Sequence, residues 1–456
     1  MSLFEKDHKQ CLEKLIWATN RLQVQVSQSQ LEKIADLIVE TMTGRWRLFH
    51  TPEHIFQVGG TENAIEVLAA LFHDVVYVQV DQSVNFNLSY YIAPCIKEYR
   101  EQLFIRDSSE LPKDLILEIV MDIFGFVPGQ GMLPMSGQNE FLSAVVAGKV
   151  LEPFLSPELI VQIITCIEAT IPFRGKSESG LTASEQLYQR LQDVNQKFNL
   201  GLTELEIIES VKSAVILSNR DVGSFAHPLA ARFLDGTWNL LPETNHNLHN
   251  SSSYTVSEYR IALQKMEGFM NFLNPKIIFQ QFQEEPDNKS YQALLDRANK
   301  NLEIGRLYLG SKLFTMGFLE AFSLRLGRDI AISSMMGELP SSEEGISTDN
   351  LIDIIPKIPN KYHLKNEIEK EVLDLLEHGR YQSSSYDLKN SPLATFMVKY
   401  IGFDEIRYQC NRAKDFFKGK LSGEDFLAGC NPEITETITE GIVELFEKRK
   451  AALSRY

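Results

Sequence analysis

Apolar residues recur every three to four positions along most of the chain, the spacing of amphipathic helices. In QLEKIADLIVETM (Gln30–Met42), Leu31, Ile34, Leu37 and Ile38 fall on one face. TELEIIESVKSAVILSNRD opens with Thr203 and Glu206 at capping-box spacing and carries Leu205, Ile208, Val211 and Val215 as its apolar stripe. Helices are also expected from Tyr291 to about Leu326, over NEIEKEVLDLLEHG and over ITETITEGIVELFEKRKAAL. Period-two alternation is scarce, and VVYVQV (Val75–Val80) is the one short stretch that reads as a strand. The pattern predicts an all-α protein with strand content near zero and no repeat at solenoid periods. Loops are expected at Ile171–Gly180, Leu241–Thr255 and Gly337–Asn350, the last as a linker or surface excursion. A softer junction at Glu284–Ser290 divides the chain into residues 1–287 and a helical C-terminal region, 288–456.

Composition narrows the class. With 456 residues, 44% hydrophobic and 23% charged, the chain is a folded globular protein of two or three domains. A formal charge of −16 argues against a nucleic-acid-binding surface, which needs a basic footprint. Cys11, Cys95, Cys166, Cys410 and Cys430 are scattered without CxxC spacing, which predicts free thiols in a reducing compartment and no zinc-thiolate site. The first residues, MSLFEKDHKQCLEKL, contain no apolar signal core, and no apolar run approaches the ~20 residues of a membrane span. A cytoplasmic location without membrane contact is the expectation. The oligomeric state stays open.

The chemistry concentrates in RLFHTPEHIFQVGGTENAIEVLAALFHDVVY (Arg47–Tyr77), which holds His50, His54 and His73, the last followed by Asp74. Thr51, Pro52 and Glu53 mark a helix start, so His54 lies in the first turn and His50 just before the cap. Gly59-Gly60 ends this short helix, and Thr61 opens a second that sends Ala64, Leu68, Ala69, Leu71 and Phe72 to the core and stops at His73-Asp74. A helix, a glycine break and a returning helix can converge His54, His73 and Asp74 on one divalent cation. A His-Asp pair at a helix end can also cap carbonyls or form a surface ion pair. Its position inside VLAALF…VVYV favours a bound partner, because unpaired burial costs several kcal/mol.

FHTPEHIFQV followed by LAALFHDVVY resembles the signature of HD-superfamily metal-dependent phosphohydrolases, and within them is similar to class I cyclic-nucleotide phosphodiesterases. VILSNRDVGSFAHPLAARFLDGTWNLLPE (Val215–Glu243) resembles the segment that supplies that family's last metal-binding aspartate, here Asp221. KMEGFMNFLNPKIIFQQF (Lys265–Phe282) resembles the nucleotide-pocket helix, with Phe269 at the base-stacking position. The resemblance implies a helical catalytic domain over 1–287, with His54, His73, Asp74 and Asp221 as metal ligands and Asp74 able to bridge a second ion. It implies His50 as general acid toward the leaving oxygen. Two imidazoles and two carboxylates suit Mg, Mn, Fe or Zn, which would activate water and polarise a phosphoryl group. The implied substrate is a small phosphomonoester or phosphodiester, nucleotide-like in character. The chain departs from the phosphodiesterases at Tyr77, where they carry a second histidine, and at Met266, where they carry the glutamine that grips the purine. It has no histidine between Asp74 and Asp221, and Phe173 stands where a related ATxxH pattern would place one, so a five-histidine dinuclear site is not expected. The alternative is a catalytically weak or silent HD-type module that acts through a protein partner.

Other signals read as structural. His246 and His249 sit in an Asn/Ser-rich stretch, GFVPGQGMLP lacks the lysine of a phosphate loop, and Arg174 and Lys176 read as a solvated loop. Arg220 reads as local charge balance beside Asp221. His8, His363 and His378 have no companions, and His227 takes no assignment.

Overall fold

The helical periodicity is realised nearly throughout. The structure, a computed structural model, describes residues 2–250, 253–337 and 350–454. Residues 338–349 of the expected linker Gly337–Asn350 lie outside these. In chain order the helices begin with α1 (Leu3–Arg21), α2 (Gln28–Met42), α3 (Pro52–Val58), α4 (Ala64–Phe72), α5 (Val78–Asp81) and α6 (Phe86–Ile92). There follow α7 (Leu115–Phe124), α8 (Gln138–Leu151), α9 (Pro157–Ala169), α10 (Ala183–Phe198) and α11 (Glu204–Asp221). Next come α12 (Ala230–Thr244), α13 (Val256–Phe272), α14 (Pro275–Ile278) and α15 (Asn288–Arg325). The chain closes with α16 (Ile332–Met336), α17 (Leu351–Ile354), α18 (Glu367–His378), α19 (Pro392–Phe417), α20 (Gly423–Ala428) and α21 (Pro432–Leu453). The protein is all-α, with one two-stranded sheet among the described residues.

The helices gather into two compact units. One holds Met1–Ala226 with Asn274–Asp296, the other His227–Leu273 with Arg297–Tyr456.

The first unit is organised around α4, every residue of which is buried. Helices α1, α3, α8, α9 and α11 all pack on it, as a helix buried on all sides requires. Gly59 permits a close approach of α3 to α4: a Cβ there would lie 3.1 Å from Ala70 Cβ and 3.3 Å from Val67 Cα. The next glycine, Gly60, takes a positive φ of 62° that turns the chain toward α4. The capping box read at Thr203 and Glu206 is formed. Thr51 precedes α3 as expected, but its hydroxyl makes no cap bond, and Asn63 rather than Thr61 caps α4.

Two local expectations are corrected. Val75–Val80 is not a strand: Val78–Asp81 makes one helical turn. Its backbone is satisfied from α8 instead, with Val76 N–H donating to Ser143 Oγ at 3.1 Å and Val78 N–H to Asn139 Oδ1 at 3.1 Å. The sheet pairs β1 (Ile96–Tyr99) with β2 (Gln102–Ile105), antiparallel, through Arg100 and Glu101. Both turn residues have positive φ, 50° and 62°, the backbone of a two-residue hairpin usually written Asn-Gly. Arg-Glu carries no such signal. In the second unit the expected loop Leu241–Thr255 is shorter, since α12 continues to Thr244 and His246–His249 forms a 3-10 turn.

Replacing Gly59 by valine should press on Ala70 and the α4 backbone, neither of which can yield, and cost about 1–3 kcal/mol. A denaturant titration followed by circular dichroism should show a lower midpoint for Gly59→Val at unchanged native helicity. An unchanged midpoint would mean that α3 and α4 have slack between them.

Candidate metal centre

The residues that matter are fixed by pairings made far along the chain. Asn63 Oδ1 accepts from Ile65 N–H at 2.9 Å and Glu66 N–H at 3.4 Å, while its Nδ2 donates to Ser213 Oγ on α11 at 3.1 Å. One turn later the buried Glu66 pairs with Arg220 at 2.6 Å. These two links hold α11 to α4 so that Asp221, the last residue of α11, reaches the end of α4. Arg220 is thus more than local charge balance.

At that end Arg47, only 5% exposed, secures the turn that follows. Its guanidinium forks onto Asp81 at 3.0 and 2.7 Å and donates to the carbonyls of Asp74 at 2.7 Å and Val75 at 3.4 Å. His73 is 1% exposed, and its Nδ1 lies 2.8 Å from the Ala70 carbonyl. A carbonyl only accepts, so Nδ1 carries the proton and the Nε2 lone pair faces inward. Nε2 meets Asp74 Oδ2 at 3.0 Å and Asp221 Oδ1 at 3.4 Å. His54 Nε2 lies 2.9 Å from Asp221 Oδ1 and 3.6 Å from Asp74 Oδ2. One ligand atom from each of His54, His73, Asp74 and Asp221 lies within 4.8 Å of the others.

The donor set fits a cation. His73 Nε2 and Asp74 Oδ2 are both buried, and beyond their contacts with each other and with His54 and Asp221 neither has a hydrogen-bond partner. Buried polar atoms left unmatched are costly and rare, and two inward imidazole nitrogens beside two carboxylates are what a divalent ion requires. This cluster can hold a metal ion. Without one, the groups compensate each other. Burial works against charge on both aspartates, but His73, His50 and His54 hold the Asp74 carboxyl well below the usual carboxylate range. His54 and His73 hold Asp221 at about 2, again against burial. Burial also opposes a charge on His73, yet Asp74 and Asp221 raise its affinity for a proton well above the usual value.

The remaining predicted residues fall in two places. His50 borders the four: its ring lies 5.9 Å from that of His54 and edge-on to Tyr77 at 4.5 Å, and its charge lowers Asp74. Met266, buried, and Phe269, half-buried, lie on α13 in the other unit. His246 and His249, also in that unit, have rings 6.4 Å apart and belong to no metal-holding group among the described residues.

Sequence reasoning missed Glu140 and misread Arg174. Glu140 is the third residue of α8, and its Oε2 is buried without a partner. Burial first, then Asp74 and Asp221, push its carboxyl up to about 8, against the pull of its own backbone N–H and of Arg174. An acid in a helix's first turn is so common that GQNEFL gave no sign of it. Arg174 is no solvated loop residue: it donates to Glu168 Oε1 at 2.6 Å and Oε2 at 3.2 Å, and Arg190 pairs with the same buried carboxylate. All five cysteines are free and buried, and no helix among the described residues is long and apolar enough to cross a membrane.

Comparison with protein-family models, curated proteins and solved structures finds no match for this chain.

The purified protein should carry about one tightly held divalent ion per chain, and His73→Ala should lose it. Elemental analysis finding no metal in either form would remove the centre. Because the ion competes with a proton for His73 Nε2, and that proton is held more tightly than usual, binding must weaken as pH falls. The apparent Kd for Mn²⁺ should tighten steadily from about pH 6 to about pH 8. A flat profile would place the ion on other groups.

Proposed function

We propose that the first unit is a metal-dependent phosphohydrolase acting on a small phosphate ester, of the kind the HD-superfamily resemblance implies. One observation carries the reading: His54, His73, Asp74 and Asp221 each turn one ligand atom into a cluster in which these atoms lie within 4.8 Å of one another. A divalent ion bound there supplies Lewis acidity toward a phosphoryl oxygen and lowers the pKa of a water. Mg, Mn, Fe and Zn all accept this ligand set.

The protein's own residues supply the rest. His54, His73, Asp74 and Asp221 would hold the ion. Glu140, its buried carboxyl kept protonated toward about pH 8 by burial and by Asp74 and Asp221, is an acid beside the cluster, able to donate a hydrogen bond there and not to serve as the base at neutral pH. His50 lies close enough to influence Asp74 yet outside the four ligand atoms, the position from which the resemblance has it protonate the leaving oxygen. The Tyr77 ring packed on His50 limits how that imidazole turns. The same packing favours a second reading, a metal-bearing module without turnover, since rings on either side of His50 crowd a substrate's approach. A nucleotide-like substrate is the expected class. Recognition by Phe269 and Met266 draws on the resemblance alone.

The test begins with phosphate release from a panel of nucleotides and aryl phosphates, with and without Mn²⁺. His50→Ala should keep its metal and its fold but lose roughly 10²–10⁴-fold in rate on phenyl phosphate. On nitrophenyl phosphate, whose leaving group needs no proton, the loss should be much smaller. Equal losses on both esters would deny His50 the role of proton donor. An unmutated protein inactive across the panel would establish the silent module.

A further inference from the structure

The second unit contains a cavity of about 300 Å³ that the chemistry of the first does not use. This is the lower end of the ~300–1,000 Å³ typical of small-molecule sites. Its inner end is a buried polar cluster around Asp387. Trp238 Nε1–H, Tyr259 O–H and the Lys312 ammonium all donate to Asp387 Oδ2, at 2.7, 2.8 and 2.7 Å, and Arg380 reaches the same oxygen at 3.5 Å. One oxygen is saturated. All the hydrogen bonds to this carboxylate among the described residues go to Oδ2 and none to Oδ1, and Asp387 lines the cavity.

Lys312 lines the cavity too and is only 5% exposed. Asp387 takes one of its three N–H donors; the ammonium otherwise faces the rings of Trp238 and Tyr259 at 5.2 and 5.7 Å. An unused acceptor and unused donors therefore stand side by side at the end of a chamber whose walls include Met316, Ile332 and Leu393. Charge at this end is balanced. Lys312 and the fully buried Arg380 oppose Asp387 and Asp235, the latter 3.8 Å from Arg380. The lining's other carboxylate, Asp353, is exposed, so a charged group seated beside Asp387 and Lys312 would be buried there without a free counterion, which is costly.

We propose that this cavity binds an uncharged, largely apolar small molecule through a carboxamide- or lactam-type group. Its N–H donates to Asp387 Oδ1, its carbonyl accepts from Lys312, and its apolar body fills the chamber between Met316, Ile332 and Leu393. The site is independent of the metal centre and of any activity there.

Three molecules of nearly one shape separate the possibilities: benzamide, benzoate and benzamidinium, titrated onto the full-length protein by saturation-transfer NMR with a thermal-shift readout. Benzamide should bind, and the two ions should bind roughly tenfold more weakly or not at all. Met336→Trp, which fills the chamber from its wall, should abolish benzamide binding while circular dichroism shows a native melt. Should that variant fail to fold, Ile332→Trp serves the same purpose. Lys312→Met should weaken benzamide without blocking the chamber. The proposal is overturned if benzamide does not bind the unmutated protein, if either ion binds as well as benzamide, or if benzamide still binds the folded tryptophan variant.

Discussion

A helix with no side facing water must have its ends answered from inside the protein, and in the first unit that constraint falls on α4. Its start is met by Asn63, its interior acid Glu66 by Arg220, and the turn beyond its end by Arg47. The Ala70 carbonyl takes the Nδ1 proton of His73. Each answer has a side effect. Asn63 and Arg220 bring α11 and Asp221 to the site; Arg47 sets the backbone of Asp74; the bond to Ala70 fixes which nitrogen of His73 looks inward. The cluster of four is therefore a by-product of ending a fully buried helix.

The two units solve the burial of carboxylates in opposite ways. Around Asp387, four donors crowd one oxygen and the charges cancel, so the space beside it suits a neutral guest. Around Asp74 and Asp221, the nearest groups are imidazoles, whose ring nitrogens can exchange a proton for a metal ion, and a neighbouring acid, Glu140, that stays protonated toward about pH 8. A site that holds its negative charge with titratable neighbours has room for a cation. A site that holds it with Lys, Arg, Trp and Tyr does not.

What the sequence disclosed follows from distance along the chain. Helical stripes and the Thr203–Glu206 box are local, and both appear as expected. His54, His73 and Asp74 lie on two helices joined by a glycine break, so their convergence could be argued from turn geometry. Asp221 could not, and it entered only through resemblance. Arg47 gave no sign because its meaning depends on Asp81, 34 residues away, a residue hidden beside an apparent strand. Glu140 depends on α8 packing against α4, which no periodicity specifies. The hairpin at residues 96–105 was missed for a local reason: its turn uses Arg and Glu where glycine or asparagine would have announced it.

The separation of the four ligands has a bearing on how the protein is made. Synthesis runs from the N-terminus, so His54 leaves the ribosome 167 residues ahead of Asp221. An ion meeting the nascent chain would find three ligands at most, and the coordination closes only when α11 docks. Its binding energy would then arrive late in folding and act on the finished unit rather than on the unfolded chain, about 2.7 kcal/mol for free ion at a hundred times its Kd.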